Sequence, residues 1–274
     1  MELYKSEFTF GKGPINKFLL NCKNDRDKYL RLIEIIEKHD NSSVIVKTLF
    51  DNKKDIILKF GVEYLIHHEY DIAYILRDMQ NFIRYYCVFI CNDNVLNIIN
   101  NKQHYLNIAI YNYENKPISI LVMEYYKLGN VLNYSWTKYN FHILINVLKQ
   151  VSFAILHAYE KYGFIHKDLH AGNILLKPKK VCEINYGCKI LLIDTYEAII
   201  MDFEKSTIDN KNKIKLVYKD IQKLLVNICY NNINLSIICT AGNKLDKLYD
   251  PKLNLEITKY YDEIEQIINS ITVI

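Results

Sequence analysis

The sequence predicts an α+β fold in two lobes, strand-rich in the first and helical in the second. Three observations point there. The first half of the 274-residue chain carries short runs rich in β-branched and aromatic residues: SVIVKTLF (43–50), NFIRYYCVFIC (81–91) and SILVMEYY (119–126). The second half holds the clearest helix, FHILINVLKQVSFAILHAYEKYG (141–163), apolar at three- and four-residue spacing. Between them lies a polar stretch, KLGN (127–130). The expected division is a first lobe at 1–126 and a second at 127–274, together forming one domain whose lobes share a cleft.

In chain order, residues 1–22 read as short strands around FGKGPINKF. Residues 25–39, DRDKYLRLIEIIEKH, read as an inserted helix, with Tyr29, Leu32, Ile33 and Ile36 at helical spacing. The strand at 43–50 follows. Residues 61–80 read as helix, with a stripe of Leu65, Ile72, Ile75, Leu76 and Met79. After the strands at 81–91 and 119–126 comes the long helix, for which Gly163 is the natural stop. A hairpin through EINYGCKILLID precedes AIIMDF (198–203), and residues 214–230 and 255–271 close the chain as helices.

Composition narrows the classes. Half of the residues are hydrophobic and 24% charged, which suits a folded rather than a disordered chain. A net charge of +4 suits an anionic ligand but is too small to argue for direct nucleic-acid binding, and none is expected. The seven cysteines form no Cys-x-x-Cys pair and read as thiols in a reducing compartment. MELYKSEFTF lacks the apolar core of a leader, and no apolar run approaches the roughly 18 residues of a membrane span. The expectation is an intracellular protein, cytoplasmic or nuclear, with no membrane partner.

FIHKDLHAGNILL (164–176) sets His166, Asp168 and Asn173 between two apolar ends. Polar residues between buried strands are costly unless paired or used. AIIMDF adds Asp202, 34 positions after Asp168. Lys47 sits inside the apolar strand SVIVKTLF and needs an anionic partner, which the following helix offers as Glu69 or Glu63. Asp194 in KILLID has the shape of Asp202 but lacks the following Phe, and reads as a turn.

Taken in order, VIVK, HKDLHAGN and MDF resemble the lysine motif, catalytic loop and metal-binding motif of the protein-kinase superfamily. LVMEYYKLGN resembles the segment linking kinase lobes. The DLHAGN form, the extra segment before MDF and the lack of Ala-Pro-Glu look haspin-like, and are similar to short kinase-like proteins of large DNA viruses.

The resemblance implies a bilobal kinase fold, ATP and Mg²⁺ as cofactors and a protein substrate. It implies Lys47 on the α/β-phosphates, oriented by Glu69, and Asn173 and Asp202 on the metal. Asp168 would accept the proton of the acceptor hydroxyl, with His166 bracing the loop. Met123 would gate the adenine pocket, and the backbone of Glu124 and Tyr126 would pair with the adenine edge. Gly11 and Gly13 fit the first two glycines of a phosphate-covering loop, but Asn16 replaces the third. Serine/threonine protein phosphorylation is the leading reading. A small-molecule kinase of the choline or aminoglycoside type and a nucleotide-binding pseudokinase are the alternatives.

Four features depart from the family pattern. Lys167 replaces the usual Arg and cannot make a bidentate pair. His170 stands where a lysine often touches the γ-phosphate. Glu204 replaces the glycine of Asp-Phe-Gly. Only 18 positions separate Asp202 from Asp220, which resembles the buried aspartate that anchors the catalytic loop. So short a segment leaves little platform for a peptide.

Overall fold

The computed structural model describes residues 30–39, 43–50, 54–91, 118–210, 213–231 and 257–271. They divide into two compact units: residues up to Tyr74 with Arg84–Tyr125, and Ile75–Ile83 with residues from Tyr126 onward. The first is built on a sheet and the second on helices, the expected α+β class.

Five strands make the first unit's antiparallel sheet: β1 (Leu30–His39), β2 (Ser43–Phe50), β3 (Lys54–Val62), β4 (Tyr85–Cys91) and β5 (Ile118–Glu124). Their order is β1-β2-β3-β5-β4, which puts β3 at the centre. Its sequence explains the place, because Ile56 to Val62 are all buried, as a strand covered on both faces requires. Helix α1 (Glu63–Leu76) follows β3 directly and buries Ile66, Glu69, Tyr70, Ile72, Ala73 and Leu76.

The helix expected at 25–39 is not what forms: residues 30–39 are a strand, and 25–29 lie outside the described residues. The β1–β2 ladder slips register twice, between Leu32 and Glu34 and between Ile35 and Glu37. Each irregularity displaces the two-residue alternation by one position. The apolar residues of LRLIEIIE therefore recur at three- and four-residue spacing, which imitates a helix.

In the second unit α2 (Phe141–Tyr162) is the core helix, with eleven buried residues from Leu144 to Ala158. It is long and apolar enough to cross a membrane by length and composition, but 61% of that stretch is buried within the protein, as in a core helix. Gly163 ends it in the left-handed conformation (φ 64°), its N–H bonded to Tyr159 O at 2.7 Å. Two short antiparallel ladders follow: β6 (Ile174–Pro178) with β9 (Tyr196–Ile200), and the hairpin β7 (Cys182–Asn185) with β8 (Ile190–Ile193). Exposed Asp194 lies in the two-residue connection between β8 and β9. Helices α3 (Ile214–Asn231) and α4 (Ile257–Asn269) complete the unit.

The edge of β9 away from β6 is closed by the side chains of Gln150 and Asn81 and by a short parallel bridge from Phe82, with Ile83 N donating to Ile200 O at 2.9 Å. Buried Gln150 accepts from Ala198 N (2.8 Å) and donates to Tyr196 O (2.8 Å). Asn81 donates to Ala198 O (2.8 Å), and its own carbonyl accepts from Ile200 N (2.7 Å). Tyr186 OH holds Asn81 Oδ1 at 2.6 Å. Buried backbone groups are thus paired without a third strand. Among the described cysteines, Cys182 and Cys188 are free thiols.

Candidate active site

In the first unit, Lys59 is the buried lysine that meets the helix. Its Nζ lies 2.7 Å from Glu69 Oε2, and the residues are 4% and 1% exposed. Tyr85 OH donates to the other oxygen, Oε1. Both carboxylate oxygens are thereby engaged, as a buried charge requires. Of the two candidate glutamates it is Glu69 that makes the pair, whereas Glu63 lies in the first turn of α1.

Lys47 is not brought to Glu69, and the expected Lys47–Glu69 pair is corrected to Lys59–Glu69. Lys47 sits on β2 opposite Ile57, diagonal to both Asp55 and Lys59. It pairs with Asp55 at 3.2 Å and lies 4.1 Å from the Tyr125 ring centroid. Desolvation would lower its pKa, but Asp55 and Tyr125 outweigh that and raise it above the ordinary value. VIVK and IILK carry the same local pattern. What separates them is the strand: β3 is central and leads straight into α1, so its lysine is presented to the helix.

Among the other first-unit candidates, Met123 is 5% exposed and opposite both Ile57 and Tyr85, and Glu124 ends β5 half-buried. Gly11 and Gly13 lie outside the described residues. The residues joining β1 to β2, 40–42, contain no glycine.

In the second unit the β6–β9 ladder aligns the chemistry. Ile174 pairs with Ile200, so the residue before β6, Asn173, lies beside the residues after β9. Met201 N donates to Asn173 O at 3.0 Å, one position from Asp202. Asp202 holds a left-handed backbone (φ 67°), an uncommon state for a non-glycine residue that clusters at functional sites. The Asn173 amide nitrogen donates to Asp168 O (3.0 Å), a bond that does not use the side-chain oxygen Oδ1. Two oxygen donors, Asn173 Oδ1 and the Asp202 carboxylate, fit a hard divalent ion.

The loop carrying Asp168 is tied down around it. His166 is fully buried; Nδ1 accepts from Asp168 N (3.3 Å), so the proton resides on Nε2, which donates to Met201 O (3.0 Å). Burial holds its pKa down to about 4, against smaller opposing contributions from the Met201 carbonyl and nearby aspartates. Phe203 is fully buried with its ring 5.9 Å from His166 and 6.0 Å from Phe164. Asp220 on α3 accepts from His166 N (2.9 Å) and Lys167 N (3.0 Å). Burial lifts Asp220 to about 6, although the two N–H groups pull the other way. Lys167 itself is exposed with φ 64°. His170 caps the short 3₁₀ turn Ala171–Asn173, its Nδ1 accepting from Gly172 N at 3.1 Å, and burial lowers its pKa. Tyr126 is nearly buried, its carbonyl bonded to Gly129 N at 3.0 Å.

Two residues that the motif does not contain complete the picture. Lys205 Nζ lies 2.7 Å from Asp168 Oδ2, and Lys223 Nζ contacts Oδ1. Burial would raise the Asp168 pKa; the two lysines overcome it and hold the carboxyl down at about 2. Asn227 accepts from Ala171 N at 3.0 Å. Asp220, Lys223 and Asn227 thus share one helix face at three- and four-residue spacing.

Residues 32–187 match the family model described as protein tyrosine and serine/threonine kinase, more than half of the chain. That segment includes Lys59, Glu69, Asp168 and Asn173 and ends before Asp202. Comparison with curated proteins found no match. A central strand whose lysine pairs with the following helix, a catalytic-type loop pinned by a helical aspartate, and this match agree: the chain belongs to the protein tyrosine and serine/threonine kinase family.

Proposed function

We propose that the protein transfers the γ-phosphate of Mg-ATP to a serine or threonine hydroxyl of a protein. The observation that carries this reading is the Asp168 loop. It presents an ionised, partly exposed carboxylate on a backbone fixed by His166, Asn173 and Asp220. Such a carboxylate can accept the hydrogen bond of an acceptor hydroxyl and aim it for in-line attack.

Lys59 takes the role that the resemblance implied for Lys47, holding the α- and β-phosphates. Glu69 and Tyr85 fix the direction of its ammonium group. Asn173 and Asp202 would hold Mg²⁺, and the bound ion would neutralise phosphate charge. His166, neutral and buried, moves no proton at pH 7; it keeps Asp168 and the chain before Asp202 in register. Met123, Glu124 and Tyr126 remain the residues proposed for the adenine end.

The test is incubation with γ-labelled ATP and Mg²⁺, offering a serine/threonine peptide library and, separately, small alcohols such as choline. Label on peptides supports the reading. Label on the alcohol, or on nothing while nucleotide binds, replaces it with one of the two alternatives.

A further inference from the structure

The segment between Asp202 and Asp220 spans only 18 positions, too few to form a broad peptide platform. The described residues offer another surface beside Asp168. Helix α3 carries three lysines at four-residue spacing, Lys215, Lys219 and Lys223, and all three are exposed. The helix has one acidic residue, Asp220, which is buried and turned to the catalytic loop. Three exposed ammonium groups therefore line its outer face along its first three turns. Lys223 stands where that row meets the loop, and its ammonium group touches Asp168. Lys205 touches the other Asp168 oxygen and is 64% exposed.

We infer that the lysine row of α3 is a docking surface for an acidic protein segment whose acceptor hydroxyl lies at Asp168. The inference rests on the proposed transfer to a protein hydroxyl and adds the substrate class. The spacing is quantitative. Four residues of helix advance about 6 Å. Two residues of extended chain advance about 6.5–7 Å. Glutamate or aspartate at every second position to one side of the acceptor therefore meets successive lysines. Lys223 and Lys205 exchange their contact with Asp168 for the first acidic group as the hydroxyl arrives. Basic segments are repelled by the same row.

The experiment measures binding as well as turnover. Fluorescent serine peptides carrying Glu, Gln or Lys at alternate positions, on either side of the serine, are titrated by anisotropy against the full chain and against the Lys215→Glu/Lys219→Glu double variant. Thermal unfolding verifies that the variant is folded, and Lys215→Gln/Lys219→Gln serves as a milder replacement. We expect one of the acidic peptides to bind about tenfold or more tightly than its Gln counterpart, a difference of about 1.4 kcal/mol. That preference should weaken with added salt and collapse in both variants. Equal binding of acidic and neutral peptides, or an unchanged preference in the variants, overturns the inference. So does displacement of the acidic peptide by a single-stranded oligonucleotide that binds more tightly. An acidic peptide that binds as expected but receives no label from ATP leaves the dock standing and refutes the proposed transfer.

Discussion

Lys59 and Glu69 form a buried ion pair in which both carboxylate oxygens are occupied, one by the ammonium group and one by Tyr85 OH. Removing one partner from such a pair strands the other. Lys59→Met should cost about 3–5 kcal/mol in stability and abolish phosphotransfer. Lys59→Met/Glu69→Leu should recover part of the stability and none of the activity. Lys47→Ala, which breaks a pair whose Asp55 is 38% exposed, should cost less than about 1 kcal/mol and leave activity near that of the unchanged protein. Denaturant unfolding and a labelled-ATP assay on the same three variants check this. Inactivity of Lys47→Ala with retained activity of Lys59→Met would reverse the assignment.

His166 and Asp220 should give opposite pH dependences of stability. The His166 pKa is depressed to about 4 in the fold, so its contribution is complete above the unfolded value near 6.5 and disappears as pH falls toward 4. The Asp220 pKa is raised to about 6, so its contribution is complete below the unfolded value near 3.8 and disappears as pH rises through 6. Each effect is on the order of 2–3 kcal/mol, and between pH 4 and 6 they offset one another. Asp220→Asn should therefore become more stable as pH rises across this window, and His166→Gln less stable. Unfolding free energies at half-unit pH steps decide it, and parallel slopes in the two variants would contradict the assignment.

Asp168→Asn should leave nucleotide affinity nearly intact and lower turnover on the order of 100-fold or more. The acidic limb of the pH–rate profile should not belong to Asp168, whose carboxyl is already ionised well above pH 2. Nucleotide binding followed by fluorescence, alongside steady-state rates from pH 5 to 8, separates the two effects.

Asp202→Ala and Asn173→Ala should each weaken the Mg²⁺ dependence of nucleotide binding, because each removes one of two proposed oxygen donors. Titration of Mg²⁺ at fixed nucleotide reads this directly. An unchanged Mg²⁺ midpoint in Asp202→Ala would remove it from the metal site.

Gly163→Ala should destabilise by at least about 1–2 kcal/mol. The added Cβ would lie 2.5 Å from Asn210 N while the backbone stays at φ 64°. A thermal midpoint equal to that of the unchanged protein would show that the 163–210 contact yields easily.

Much of the fold was legible because long helices announce themselves. FHILINVLKQVSFAILHAYEKYG gave α2 and its glycine stop, and α3 and α4 began and ended within two residues of the expected ranges. The loop motif and VYKDIQKLL pointed to Asp168, Asn173 and the anchoring Asp220. The failures have physical causes. The two register shifts in β1 gave a strand the spacing of a helix, and the strand Lys54–Val62, which holds IILK, went unread between the strand at 43–50 and the helix expected at 61–80. Had 30–39 been read as a strand, the lysine two strands later, Lys59, would have taken the place. Lys205, Lys223 and Asn227 belong to no local pattern. Their proximity to the loop is tertiary, although Asp220 plus helical spacing would have put Lys223 and Asn227 on its face.

The side-chain closure of β9 has a consequence for fidelity. A two-stranded ribbon standing alone is free to slide by one residue, and a slide would exchange Met201 or Phe203 for Asp202 at the end of the ladder. Gln150 and Asn81 grip alternate backbone groups on the outer edge, so sliding would break their bonds all at once. Alignment of the two loops is thus guarded from inside the helical core, and a disturbance at Gln150 would surface at the proposed ion site, far from the altered atom.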